Sequence, residues 1–134
     1  MAAFEILEHP ADIGFRAFGD TLPELYAQAA LAMLSIADDP ESVQPLNEYR
    51  LAVESGDRES LMVDWLSEIL YWFDGKQISF HEIAVTELAD TAIRAVARGE
   101  LRRQARIIVK AVTYHQLKIE QRGGVWVAEV YLDI

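Results

Sequence analysis

The chain has 134 residues, 51% hydrophobic and 25% charged, which suits one domain with a sizeable core and excludes a disordered tail. It contains no cysteine, so disulfides, thiolate metal sites and cysteine nucleophiles are excluded. The net charge of −10 lies wholly in residues 1–67, with 13 acidic and 3 basic side chains against 9 of each in 68–134; such a surface repels phosphate backbones and suits solubility, a cation or a basic protein partner. No apolar run approaches the roughly 20 residues of a membrane span, and no basic-then-apolar leader opens the chain. A single cytoplasmic domain over 1–134, independent of membranes and favoured as a monomer, is expected.

Phe4 to Glu8 alternates apolar and acidic residues and reads as a short strand, followed by a second from Ile13 to Phe18. Between them, Pro10 interrupts the ladder and makes His9-Pro10-Ala11-Asp12 a bend that can aim the Asp12 side chain. Thr21-Leu22-Pro23-Glu24 is a capping box with proline in the first turn, and Leu22, Leu25, Tyr26, Ala29, Met33 and Ile36 recur at helical spacing. A first helix is predicted over 22–37. Asp38-Asp39-Pro40 ends it, and a polar loop runs to Pro45. Tyr49, Leu51 and Val53 alternate with Glu48, Arg50 and Glu54 as a half-exposed strand. Asp57 then offers an N-cap to a second helix carrying Leu61, Met62, Trp65, Leu66, Ile69, Leu70 and Phe73. Its apolar face is wide enough to be sandwiched between layers, and Gly75 is expected to close it in the left-handed conformation.

The remainder is mostly strand. Residues 78–88 form a long strand whose alternation slips near His81 and Glu82, as at a bulge, and 91–98 form another. Arg98-Gly99-Glu100 and Arg102-Arg103-Gln104 are expected to form a connecting loop. Residues 109–120 and 125–134 flank Gly123-Gly124 as a hairpin. In its return strand Trp126, Ala128, Val130, Leu132 and Ile134 fall on a core face, and Val127, Glu129, Tyr131 and Asp133 on the other. Helices early and strands late, in the order β-β-α-β-α-β-β-β-β, make an α+β fold with two main helices packed on antiparallel or mixed sheets.

The chemistry-bearing motifs are few. There is no glycine-rich phosphate cradle, no G-x-S-x-G elbow and no helical zinc pair among His9, His81 and His115; for His81 and His115 the ordinary role in strands is structural hydrogen bonding. Asp133 lies one residue from the α-carboxylate of Ile134. If the bend at Asp12 lies beside that strand end, three anionic oxygen groups meet and require a divalent cation, a proton or a lysine. Lys110 is either that neutraliser, on a strand face with Val112 and Tyr114, or an exposed sheet lysine. Arg94, Arg98, Arg102, Arg103, Arg106 and Lys110 form a basic run that is either a solvated face or a contact for RNA or an acidic partner.

The sequence resembles the archease family over nearly its whole length. The resemblance rests on His9-Pro10-Ala11-Asp12-Ile13-Gly14, Ala29-Ala30-Leu31-Ala32-Met33, Leu66-Ser67-Glu68-Ile69-Leu70-Tyr71, the stretch from Val109 to His115, and the closing Leu132-Asp133-Ile134, in that order. It implies a protein cofactor, not an enzyme in its own right. The implied partner is the GTP-dependent RNA ligase that joins tRNA halves, whose guanylation and repeated turnover it promotes, with tRNA reached only indirectly. The resemblance further implies a divalent cation of calcium type at Asp12, Asp133 and Ile134, and a role in activation for Lys110. Two departures stand out: Pro10 replaces a usual threonine, and the connection over 100–107 is shorter than in many relatives and lacks their histidine. A metal-dependent hydrolase using Asp12, Asp133 and His115, and a chaperone-like binding module, are the competing readings.

Overall fold

The fold is seen in a computed structural model that describes residues 3–8, 12–102, 105 and 107–134, with Glu8 described by its backbone alone. Strands β1 (Phe4–Glu8) and β2 (Ile13–Gly19) precede helix α1 (Leu22–Ala37). A 3-10 turn at Pro40–Ser42 leads to β3 (Asn47–Glu54) and helix α2 (Arg58–Asp74). Five strands follow: β4 (Ile78–Ala89), β5 (Ala92–Leu101), β6 (Ala111–Val112), β7 (Lys118–Arg122) and β8 (Val125–Asp133). The α+β class and the order of elements match the sequence reading.

Local chemistry accounts for the helix ends. The Thr21 hydroxyl accepts from Glu24 N–H at 3.3 Å, satisfying an orphan donor of the first turn, and the Glu24 carboxylate returns to Asp20 N–H just before the cap at 3.0 Å. At α2 the Asp57 carboxylate accepts from Ser60 N–H at 2.8 Å. That bond holds its pKa below the ordinary 3.8. A carboxylate with a depressed folded pKa contributes stability above its unfolded value and loses it as pH falls through the folded one. Asp57→Ala is therefore expected to lower the melting temperature at neutral pH, by an amount that shrinks as pH falls through the folded pKa of Asp57.

The end of α2 differs from expectation. Gly75 is right-handed, at φ −79°, and the positive φ belongs to Gln77 at 57°. Glycine is needed at 75 because a Cβ there would lie 2.8 Å from the Tyr71 carbonyl oxygen. The helix contains no basic residue in its last turn, but Arg102 supplies one from the end of β5: its Nε donates to Phe73 O at 2.7 Å and its guanidinium stands 4.9 Å from the Phe73 ring.

Two antiparallel sheets enclose the helices. The first runs β1-β2-β8, with β6 and β7 both paired along the far edge of β8; the second runs β3-β5-β4. α1 packs against β2 and β4, one from each sheet, and α2 against β3, β4, β5 and β6. Ten α1 residues are buried, more than one apolar stripe supplies, because the helix meets strands of both sheets. The core cluster joins Phe15, Ala128, Val130 and Leu132 from the first sheet, Trp65, Leu66 and Ile69 from α2, and Phe80, Ile93 and Ala97 from the second.

Two further readings change, and one is borne out and extended. Gly99 and Glu100 belong to β5, not to a loop; a Cβ at Gly99 would run into the Ser79 carbonyl oxygen, so glycine lets β4 and β5 approach at that point. The bulge near His81 is present between Phe80 and Glu82, and a second irregularity occurs between Val85 and Glu87. On β8, Ala128, Val130 and Leu132 are buried as expected, but Ile134 is 40% exposed, while Val127 and Tyr131 on the opposite face are also buried. The reason is that Ile134 lies beyond the last paired residue, whereas Val127 and Tyr131 sit between neighbouring strands on both sides.

Candidate functional site

The sheet register brings the two ends of the chain together. β2 and β8 pair with Ile13 opposite Leu132 and Gly14 opposite Tyr131. One further step of that register sets Asp12 against Asp133, and both fall on the face that carries Gly14 and Tyr131. Asp133 is exposed, and Asp12 is half-buried. The Oδ1 atom of Asp12 is buried and has no hydrogen-bond partner among the described residues. A buried, unpartnered carboxylate oxygen is costly and calls for a donor or a cation.

β6 adds Lys110 to this end. Ala111 pairs with Asp133 and Val112 with Leu132, and Lys110 N–H donates to Asp133 O at 2.7 Å. Lys110 immediately precedes the strand, and its exposed ammonium has no ion-pair partner among the described residues. It does not share a continuous strand face with Tyr114, because the 109–120 run breaks into β6 and β7. The break follows Thr113, whose N–H and hydroxyl both donate to Tyr131 O, at 3.1 and 2.9 Å, and carry the pairing one residue further before the chain turns through Gln116 at φ 52°. In the same stretch of chain Ile108 is 70% exposed and Tyr114 58% exposed. This apolar exposure is what sequence reasoning missed; the Ile107-Ile108 pair beside the lysine was its available signal.

Further along the same face, Arg16 bridges three strands, with Nη1 2.8 Å from Glu5 and Nε 2.7 Å from Glu129. The Glu129 carboxylate, only 12% exposed, holds the guanidinium pKa above its ordinary value. That ladder is structural and separates the aspartate end from the rest of the sheet.

Other candidates do not join this end. His81 Nδ1 lies 2.9 Å from Pro40 O, a structural bond. His115 stands edge-on to Tyr131 with ring centroids 6.1 Å apart. The basic run is dispersed: Arg94 faces Glu87, Arg98 faces Glu48 and Glu82, and Arg102 caps α2. Arg103 and Arg106 lie outside the described residues, as do His9, Pro10 and Ala11 of the expected bend. Among the described residues no group of three His, Asp or Glu side chains is arranged to hold a metal, so Asp12 and Asp133 form a cation site only with a further oxygen group, such as the α-carboxylate of a chain ending at Ile134. The donor set is all oxygen, which fits a hard cation.

The model of the archease protein family matches residues 4–134. The chain belongs to the archease family. The protein archease of Methanosarcina mazei is 41% identical over 139 residues, covering 98% of this chain and 95% of that one. The protein archease of Methanopyrus kandleri is 38% identical, covering 98% and 99%. Among solved structures, the solution structure of Methanobacterium thermoautotrophicum protein 1598 superposes with a TM-score of 0.82 at 35% identity, covering all of both chains. The Thermotoga maritima crystal structure, titled as an archease and possible chaperone, superposes with a TM-score of 0.70 at 22% identity, covering 96% and 94%, and shows the same fold. Among the described residues no helix of this archease is long and apolar enough to cross a membrane.

Proposed function

We propose that this archease acts as a protein activator of the GTP-dependent RNA ligase that joins tRNA halves, promoting its guanylation and repeated turnover. Lys110 addresses the ligase, and Asp12, Asp133 and the carboxylate at Ile134 hold a divalent cation of calcium type. The observation that carries the reading is the register that gathers Asp12, Asp133 and Lys110, from opposite ends of the sequence, at one end of one sheet. The buried, unpartnered Oδ1 of Asp12 fits a cation ligand. When bound, such a cation cancels the mutual repulsion of the carboxylates and stiffens the strand ends.

The residues around this end suit a protein partner. Lys110 is anchored through its backbone, which leaves its ammonium available, and Ile108, two residues before it, adds exposed apolar area of the kind that protein interfaces bury. The acidic surface disfavours direct capture of RNA, consistent with tRNA being reached through the ligase.

Mixing the protein with its cognate ligase, GTP and a divalent cation is expected to accelerate attachment of GMP to the ligase, while the protein alone leaves RNA unchanged. Guanylation at the unaided rate would sink the proposal. Turnover of phosphoesters by the isolated protein would favour the hydrolase built on Asp12, Asp133 and His115. Equal protection of unrelated aggregating proteins would favour the chaperone-like module.

A further inference from the structure

Two residues along each strand from Asp12 and Asp133, the same sheet face is built on an aromatic ring seated over a glycine. Gly14 and Tyr131 are register partners. A Cβ on Gly14 would lie 2.6 Å from Tyr131 Cδ1, 2.8 Å from Cε1 and 2.9 Å from Val130 O, so no larger residue leaves the ring and the strand spacing as they are. The ring is only 8% exposed, and the His115 ring stands edge-on beside it at 66°. The Tyr131 carbonyl is held by both Thr113 donors, and Thr113 Oγ1 in turn accepts from His115 N–H at 3.3 Å. Ring and backbone of Tyr131 are therefore both fixed.

Side chains two apart on a strand point the same way. Gly14 is two residues from Asp12 and Tyr131 two from Asp133, so Tyr131 is the next side chain along the face that carries both carboxylates. We infer that Tyr131, seated on Gly14 and latched by Thr113, is a positioning residue that sets the separation of the two aspartates and thereby selects the size of the cation. The inference rests on the reading of Asp12 and Asp133 as cation ligands. Calcium takes oxygens at about 2.3–2.6 Å and magnesium at about 2.0–2.1 Å, so selection between them depends on how rigidly the ligands are held apart. A fixed ring beside them keeps the carboxylates from closing on the smaller ion, and a loosened one gives up that preference.

Calorimetric titration of calcium and of magnesium into the parent, Tyr131→Phe, Tyr131→Leu and Thr113→Val proteins tests this, with melting in chelator reporting metal-free stability. Tyr131→Phe keeps the ring and is expected to hold calcium affinity within about two-fold. Tyr131→Leu fills space without a flat ring; it is expected to lose about ten-fold or more in calcium affinity and to bring the two cations closer in affinity, as changes behind metal ligands commonly do. Thr113→Val loosens the latch, and a loss of about three-fold is expected, in the same direction. A ring that merely packs would lower the melting temperature and leave both affinities alone. Parent-like affinity and selectivity in Tyr131→Leu, or in Thr113→Val should the leucine variant not fold, would overturn the inference. A parent that binds neither cation would instead overturn the ligand assignment of Asp12 and Asp133 beneath it.

Discussion

Lys110→Ala is expected to remove most of the activation, about ten-fold or more in the rate of ligase guanylation, while the protein stays as stable as the parent. The separation of the two effects follows from how Lys110 is held. Its N–H donates to Asp133 O at 2.7 Å, and alanine keeps that bond. Its side chain is exposed and makes no ion pair among the described residues, so its removal changes stability by less than about 1 kcal/mol. A partner that desolvates the ammonium and pairs it loses far more, because a charge-assisted hydrogen bond counts for little in water and much once buried. Lys110→Arg keeps the charge but replaces a compact ammonium with a planar fork, and is expected to restore only part of the activity. Matched melting curves and guanylation time courses decide the matter. Full activation by Lys110→Ala would remove Lys110 from the function, and an equal loss of fold and activity would make its role structural.

The largest loss of stability is expected at Trp65, by about 3–5 kcal/mol for Trp65→Ala in denaturant unfolding. Trp65 is fully buried on α2, between the helices and the sheets, and its indole N–H donates to Tyr26 O of α1 at 2.9 Å. The Tyr26 hydroxyl donates in turn to Arg58 O at 2.8 Å, so the two helices are tied in both directions. Burial raises the Tyr26 phenol above its ordinary pKa, which keeps it a donor. Alanine at 65 opens a cavity in the layer both sheets pack against, and the loss is a large share of the roughly 5–15 kcal/mol that holds a domain together. Trp65→Phe retains most of the ring and gives up the hydrogen bond, for an expected cost of about 1–2 kcal/mol. An alanine variant within about 1 kcal/mol of the parent would show that the helices collapse onto the site without penalty.

Whatever depends on neighbours a few residues apart could be read from the chain alone. Thr21 and Asp57 start the helices where their side chains reach the first free N–H groups, the alternation of β8 selects Ala128, Val130 and Leu132 for the core, and the slip near His81 marks the first bulge. The candidate site residues were legible as well, but only as separate motifs joined by a family resemblance. What placed Asp12, Asp133 and Lys110 at one sheet end is the pairing of β2 and β6 with β8, between segments far apart in the chain. The 109–120 run breaks after Thr113, where the chain leaves β8 and turns through Gln116 at positive φ, a turn that local alternation does not mark. The tertiary structure set the left-handed turn at Gln77 instead of Gly75, and it kept Gly99 inside β5, where Ser79 leaves room for no side chain. Local periodicity records which face a residue prefers, whereas register, strand length and close approach are set by the partner strand, and the energy of that pairing exists only once the distant segment has arrived.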